Sequence, residues 1–135
     1  MSSFELHTPA DLPAIPGFSQ VATISPGSRL VWTAGQVAMT AEGAPPAAGD
    51  WEAQTRLVMQ NLTIALAAGG AGWSDVFKLT IYVVEPADLT TVRAVRDEFV
   101  NLERPPTSTL VRVAGLFDPA FLVEIEAVAA VLASR

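Results

Sequence analysis

Glu124 is the side chain in this sequence whose type and setting point most directly to chemistry. It stands between Val123 and Ile125 in an otherwise apolar segment, and a charged residue in such a setting is normally paired or placed in a cleft. A carboxylate held in a cleft can serve as a general acid or base. Glu126 follows two residues later on the same face of a strand and is a second candidate. A solvated carboxylate at a strand end is the alternative interpretation.

Several common chemistries are excluded because the 135 residues contain no cysteine and a single histidine, His7. Without cysteine the chain has no disulfide, thiolate zinc site, iron–sulfur cluster or cysteine nucleophile. A serine triad would depend on His7, which lies in a polar N-terminal segment. Carboxylates, arginines and hydroxyls are therefore the groups left for chemistry.

Periodicity and turn residues predict the elements that must position these groups. Residues 1–16 are polar and proline-rich, which predicts an irregular N-terminal arm. Apolar residues at three- and four-residue spacing predict one helix from an N-cap at Asp50 to Gly69, and another from Asp88 to near Glu103. Alternating apolar residues predict strands, of which the first two form a hairpin, over 18–24, 29–38, 76–84, 107–116 and 121–132.

The predicted order β-β-α-β-α-β-β indicates an α+β fold with two helices on one face of a mixed sheet. The length favours a single domain over 1–135. Both faces of the last strand are apolar, so we expect the face away from the helices to meet another copy of the chain. Gly35, inside the second strand, predicts a bulge or the close approach of another group.

Composition limits the partners. Half of the residues are apolar and 16% are charged, which favours an oligomer interface for the surplus apolar surface. The net charge is −6 and Lys78 is the one lysine, so the basic patch of a nucleic-acid-binding protein is missing. The longest apolar run, 127–133, is too short to cross a membrane, and the N-terminus has no signal-peptide pattern. A cytoplasmic protein without a membrane partner is the expectation.

Four motifs occur in the order found in one known family. They are Trp32-Thr-Ala-Gly-Gln36, then Gln54-Thr55 with Gln60-Asn61-Leu62, then the segment 72–83, then Val123-Glu-Ile-Glu-Ala-Val-Ala129. Together they resemble the RidA family, also called YjgF or endoribonuclease L-PSP, over nearly the whole chain. The resemblance implies a chorismate-mutase-like fold and a homotrimer whose sheets line a central barrel, with three clefts between subunits.

The resemblance also implies an activity. Members of the family proper hydrolyse reactive imines and enamines to a 2-oxo acid and ammonia, and they use no metal and no cofactor, so the resemblance implies neither for this chain. An arginine holds the substrate carboxylate, and a glutamate, which matches Glu124, helps water attack. This sequence departs from that pattern, because Ser108 stands at the arginine position in an ungapped alignment and Thr107 stands there if the register shifts by one residue. A neutral hydroxyl cannot form the bidentate pair of an arginine with a carboxylate, so the chain looks like a subgroup lacking that arginine.

Other positions of the cleft also differ from the family. Phe18 stands where tyrosine is usual and Ala34 where serine is frequent, whereas Gly35 is kept. Arg93 stands at a place beside the cleft where asparagine is frequent, and would supply the missing guanidinium. Its alternative role is a surface pair with Asp97, because the second helix shows a mixed, solvated face of charges that includes Arg96 and Glu98.

Ser108 and Thr109 would hydrogen-bond a ligand, or else be satisfied by the backbone. Arg104 and Arg112 are further arginines, for which structural or exposed positions are expected. Two function classes remain open: a deaminase acting on a small carboxylate or carbonyl metabolite with Glu124 as acid and base, and a non-catalytic ligand-binding trimer. The family's other label, endoribonuclease, is disfavoured by the charge of −6.

Overall fold

The computed structural model describes residues 2–133 of the chain. This range contains six strands and two α-helices. The helices are α1 (Trp51–Ala68) and α2 (Leu89–Asp97), and a short 3₁₀ turn spans Trp73–Asp75. The strands are β1 (Phe4–His7), β2 (Val21–Ile24), β3 (Ser28–Trp32), β4 (Val76–Val84), β5 (Thr107–Val113) and β6 (Val123–Leu132).

The α+β architecture is confirmed. Four strands form a mixed sheet in the order β3-β6-β4-β5, in which β5 runs parallel to β4 and β6 runs antiparallel to both of its neighbours. Both helices pack on one face of this sheet. The core lies between the layers, where Leu62 and Leu66 of α1 meet Leu79 and Ile81 of β4 and Ile125 of β6.

Capping residues place the helix starts where the sequence predicts them. The carboxylate of Asp50 accepts a hydrogen bond from the Ala53 N–H (2.9 Å), and that of Asp88 accepts one from Thr91 (3.1 Å). The predicted end of the second helix near Glu103 is wrong, since α2 ends at Asp97. The chain tightens there into i to i−3 hydrogen bonds, of which one runs from the Glu98 N–H to the Val95 carbonyl.

The predicted hairpin of the first two strands is wrong, and so is an irregular arm over the whole of 1–16. β2 pairs with β1, and β3 pairs with β6 in the main sheet. The N-terminal segment is held by a contact that local sequence does not reveal. The Phe4 ring packs against Phe77 (6.0 Å between centroids) and lies under the Arg104 guanidinium (4.5 Å).

The strand boundaries differ from the prediction in ways that matter for the site. β2 begins at Val21, so Phe18 lies in the turn before it. Ser19 ties this turn to the end of the main sheet, because its hydroxyl donates to the Pro105 carbonyl (2.7 Å). β3 ends at Trp32, β5 ends at Val113, and β6 begins at Val123, two residues after the predicted start.

The sheet face away from the helices is partly covered within one chain. Val128 and Ala130 point to that face and are nevertheless buried. The N-terminal segment contributes, because the Ser3 hydroxyl donates to the Ala130 carbonyl (2.7 Å). Leu30 and Trp32 on the neighbouring strand remain exposed. The surface left for another copy is therefore smaller than the whole face expected from the sequence.

Candidate functional site

The carboxylate of Glu124 lies directly over the backbone of Gly35. A Cβ atom placed on Gly35 would stand 2.1 Å from Glu124 Oε2, so a larger residue here would displace the carboxylate from this position. The predicted close approach at Gly35 is thus confirmed.

A bulge produces the contact. Thr33 donates from its N–H to the Ala127 carbonyl (3.0 Å), and Gln36 donates to the Ile125 carbonyl (2.9 Å). Two residues, 34 and 35, therefore face the single residue 126 of β6, which is the geometry of a β-bulge. Ala34 lies exposed beside Gly35 in this bulge.

The two carboxylates of β6 have different surroundings. The Tyr82 hydroxyl donates to Glu126 Oε1 (2.9 Å), and this bond to a carboxylate, with burial second, raises the pKa of Tyr82 above its ordinary value. Glu124 is half-buried and makes no hydrogen bond or ion pair with any of residues 2–133. Glu124 is therefore the carboxylate whose oxygens remain available to water or a ligand. Tyr82 could not be identified from the sequence, because its contact with Glu126 depends on the pairing of β4 with β6.

A second group of candidate residues lines a cavity of about 140 Å³ between α2, β5 and the turn before β2. Its walls are Phe18, Ile81, Arg93, Arg96, Ser108 and Leu110. Arg93 is exposed and forms no ion pair or hydrogen bond with residues 2–133. The alternative pair of Arg93 with Asp97 is absent, because Asp97 binds Arg96 instead (2.7 Å).

Arg96 departs from its expected place on a solvated helix face. It is only 7% exposed and forms part of the cavity wall. The sequence conceals this burial, because Arg96 packs against Gly17, which is distant in sequence and lies in the turn before β2. The other two arginines match their expected structural or exposed roles. Arg112 pairs with Glu85 at the surface (2.6 Å), and Arg104 donates to the Ser2 hydroxyl (2.9 Å) and to the Phe4 carbonyl.

The two groups lie on opposite faces of the main sheet. Ser108 is opposite Leu79, whose side chain belongs to the helix-side core, so Ser108 shares the helix side with Arg93. Thr109 is opposite Thr80, which is in turn opposite Glu126. Thr109 therefore faces the same side as Glu124 and is not part of the cavity. The residues singled out from the sequence thus divide into two candidate half-sites, one at the cavity (Phe18, Arg93 and Ser108) and one on the opposite face of the sheet (Ala34, Gly35, Thr109 and Glu124).

Gln54 fixes the segment that leads into Glu124. Its amide nitrogen donates to the Ala47 and Ala120 carbonyls (3.0 Å each), and its amide oxygen accepts from the Leu122 N–H (3.0 Å). The Leu122 carbonyl accepts in turn from Val84 (3.1 Å). This buried side chain therefore joins α1 to the residue two positions before Glu124, a role that the motif containing Gln54 did not reveal.

Within residues 2–133, no three histidine or acidic side chains come together in an arrangement that would hold a metal ion. Over the same range, neither helix is long and apolar enough to span a bilayer.

Comparison with known proteins then assigns the family. The family model described as endoribonuclease L-PSP matches residues 8–131. This chain belongs to the RidA/YjgF family. A solved Rid-family protein, YyfB of Yersinia pestis, is 30% identical and superimposes with a TM-score of 0.82, covering 96% of this chain and 99% of that one. The fold of the family is thus the fold of this chain.

Other relatives indicate the range of names within the RidA/YjgF family. A RutC family protein of Synechocystis is 33% identical over 74% of this chain and 77% of its own length. TdcF of Escherichia coli K12, named as a candidate reactive intermediate deaminase, is 32% identical over 74% of this chain and 78% of its own. The structure of E. coli TdcF was solved with bound serine, and it superimposes with a TM-score of 0.66 at 29% identity, covering 91% of each chain.

Proposed function

We propose that this chain binds a small carboxylate- or carbonyl-containing metabolite in clefts between its copies and hydrolyses a C–N bond as a cofactor-free imine or enamine deaminase. The separation of the two half-sites carries the proposal. Glu124 lies on one face of the sheet, while Arg93 and Ser108 lie on the other. One small ligand can touch both only where the Glu124 face of one copy meets the cavity of another. A homotrimer whose sheets line a barrel supplies three such clefts.

Glu124 acts as the base and then the acid. Its oxygens have no protein partner within residues 2–133, so they can accept a proton from water. The water oxygen bonds to the carbon of the C=N group, and the π electrons move to nitrogen. Protonated Glu124 then gives the proton to nitrogen, which leaves a neutral carbinolamine. Glu124 next takes the proton of the new hydroxyl and passes it to the amino group, so that the carbonyl forms as the C–N bond breaks and ammonia leaves. An imine and one water yield a carbonyl compound and ammonia.

Arg93 holds the carboxylate of the substrate in place of the family's strand arginine. Its guanidinium is exposed, without a protein partner, and beside Ser108 in the cavity. A guanidinium and a hydroxyl can both donate to one carboxylate. The Phe18, Ile81 and Leu110 walls of the cavity then contact the apolar part of the ligand. TdcF, whose structure contains serine, is a relative that binds a small carboxylated molecule.

A non-catalytic ligand-binding trimer is the second candidate. It is favoured by one observation, the neutral hydroxyl of Ser108 at the position where the family carries its substrate-binding arginine. Ligand binding would then survive without turnover. An endoribonuclease activity has only the family description in its favour, and the net charge of −6 opposes it.

The test is the rate at which a 2-imino acid, generated in situ by an amino-acid oxidase, becomes its 2-oxo acid. We expect the wild-type protein to exceed the rate in buffer, and Glu124→Gln to lose at least about 100-fold, the usual contribution of an acid–base group. Glu103→Gln, at an exposed loop carboxylate, is the control and should keep the activity. Stabilisation by a 2-oxo acid without turnover would support the binding trimer. The absence of both stabilisation and turnover would refute both proposals.

A further inference from the structure

The guanidinium of Arg96 forms part of the cavity wall and is oriented by two groups of its own chain. Its Nε and Nη2 atoms both donate to Asp97 Oδ1 (3.0 and 2.7 Å). Its Nη1 atom makes no hydrogen bond within residues 2–133, and in that range no side-chain polar atom is both buried and unpartnered. Nη1 is therefore not fully enclosed, while Nε and Nη2 are held by Asp97.

The turn before β2 closes over the same guanidinium. Gly17 has a φ of +99°, and a Cβ atom there would stand 2.8 Å from Arg96 Nη2. Asp97 and the Gly17 backbone thus fix Arg96 from two sides. A guanidinium that is already ordered loses little conformational freedom when it binds an anion, so it binds more strongly than a mobile one.

We propose that Arg96 is a second anion-binding residue of the cavity, and that the substrate carboxylate binds between Arg93 and Arg96 on α2. This inference rests on the proposed function and extends it to a residue outside the set found from the sequence. The two arginines are three residues apart, so they lie on one side of the helix, with Ser108 on the adjoining strand wall. The residues that bind the anion would thus lie on α2, whereas the family's arginine stands at the position of Ser108 on β5.

Charge sets the kind of anion. Arg93 and Arg96 carry two positive charges, and Asp97, bound to Arg96, carries one negative charge. One net positive charge therefore faces a cavity whose other walls are Ser108 and apolar side chains. This balance suits a single carboxylate better than a phosphate dianion.

Titration with pyruvate, followed by NMR, tests the assignment. We expect Arg96→Lys to weaken pyruvate binding at least about 10-fold, because lysine lacks the planar donor edge. The Arg93→Lys, Arg96→Lys double variant should lose less than the product of the single losses, since both residues hold one carboxylate. Arg112→Lys, at a surface arginine paired with Glu85, is the matched control and should bind as the wild type does.

A second variant separates binding from a structural role. Asp97→Asn removes the neutralising charge but keeps an Oδ1 acceptor for both Arg96 hydrogen bonds, so Arg96 stays oriented and we expect the variant to bind pyruvate more tightly than the wild type. Glu98→Gln, at the neighbouring carboxylate that pairs with Arg56, should leave the affinity unchanged. A residue that only supports the fold would change the melting temperature without producing this gain.

The outcomes distinguish this inference from the proposed function. Pyruvate binding that is equal in the wild-type and Arg96→Lys proteins would overturn the role of Arg96 alone. Unchanged or weaker binding in Asp97→Asn would do the same, and tighter binding of inorganic phosphate than of pyruvate would overturn the carboxylate assignment. A wild-type protein that neither binds pyruvate nor hydrolyses a 2-imino acid would refute the proposed function, and Arg96 with it.

Discussion

At the scale of single residues, the two glutamates of β6 show how environment separates groups that sequence treats alike. Both follow the same alternation and lie on the same face of the strand. Glu126 accepts a hydrogen bond from the Tyr82 hydroxyl, whereas Glu124 lies over Gly35 without a hydrogen bond to residues 2–133. The alternation could be predicted from the sequence. The difference could not, because it depends on the strand pairing that brings Tyr82 to one carboxylate and on the bulge that leaves room for the other.

Gly35→Ala tests the importance of that contact. The added methyl group would stand 2.1 Å from Glu124 Oε2, so the end of this flexible, half-buried side chain must move. We expect 2-imino acid hydrolysis to fall by at least about 10-fold, since catalysis depends on a placed acid–base group. The melting temperature should change little. Steady-state rates and thermal unfolding measure the two effects.

Gly115→Ala is the matched control for this substitution. A Cβ atom at Gly115 meets nothing within 4 Å, and no positive φ restricts the position. It should therefore keep both the activity and the melting temperature of the wild type. If Gly35→Ala were as active as Gly115→Ala, the placement of Glu124 over Gly35 would have no catalytic importance.

At the scale of elements, the features that depend on residues close in sequence could be predicted. Asp50 and Asp88 cap the helices as expected, and β4 spans the predicted residues. The N-terminal pairing was missed, because β1 is held by Phe77 and Arg104, which are distant in sequence. The split of the site was missed for a related reason. A residue of β5 or β6 faces either the helices or the opposite side. Which of the two it faces depends on how the strands assemble into the sheet, and local sequence does not show this.

Gln54 is expected to be a principal link between α1 and the start of β6. It is 1% exposed and satisfies three backbone groups in two loops. Gln54→Leu leaves those groups unpaired, so we expect the free energy of unfolding to fall by about 3 kcal/mol, roughly 1 kcal/mol for each lost bond. Urea denaturation measures this change.

Gln60→Leu provides the comparison on the same helix. Gln60 is exposed, and substitution of an exposed side chain without such bonds typically changes stability by less than about 0.5 kcal/mol. Equal losses in the two variants would show that the Gln54 hydrogen bonds contribute nothing specific to the junction of α1 and β6.

At the scale of the whole molecule, the exposed face of the main sheet is the expected interface between copies. Leu30 and Trp32 project from β3 on the side away from the helices, next to the buried Val128 and Ala130. Large exposed apolar side chains on an otherwise apolar sheet face indicate a contact surface. The family resemblance implies a trimer, and a ligand can touch both half-sites only between two copies, so both lead us to expect such a contact.

Trp32→Glu is expected to dissociate the oligomer, because it places a charge in the apolar interface. Ile64→Glu is the matched control, since Ile64 is 69% exposed and Trp32 is 68% exposed, but Ile64 lies on α1. Sedimentation velocity should show trimers for the wild type and for Ile64→Glu, and smaller species for Trp32→Glu. Trimers in all three proteins would place the interface elsewhere.

Complementation between two inactive variants tests most directly whether the site is shared by two copies. Glu124→Gln and Arg93→Ala proteins carry different tags, are co-expressed, and their mixed oligomers are isolated for 2-imino acid hydrolysis. A mixed trimer contains one cleft with both groups intact, so we predict about one third of the wild-type activity, while each variant alone stays inactive. Mixed trimers no more active than their parents would contradict a cleft formed by Glu124 of one copy and Arg93 of the next.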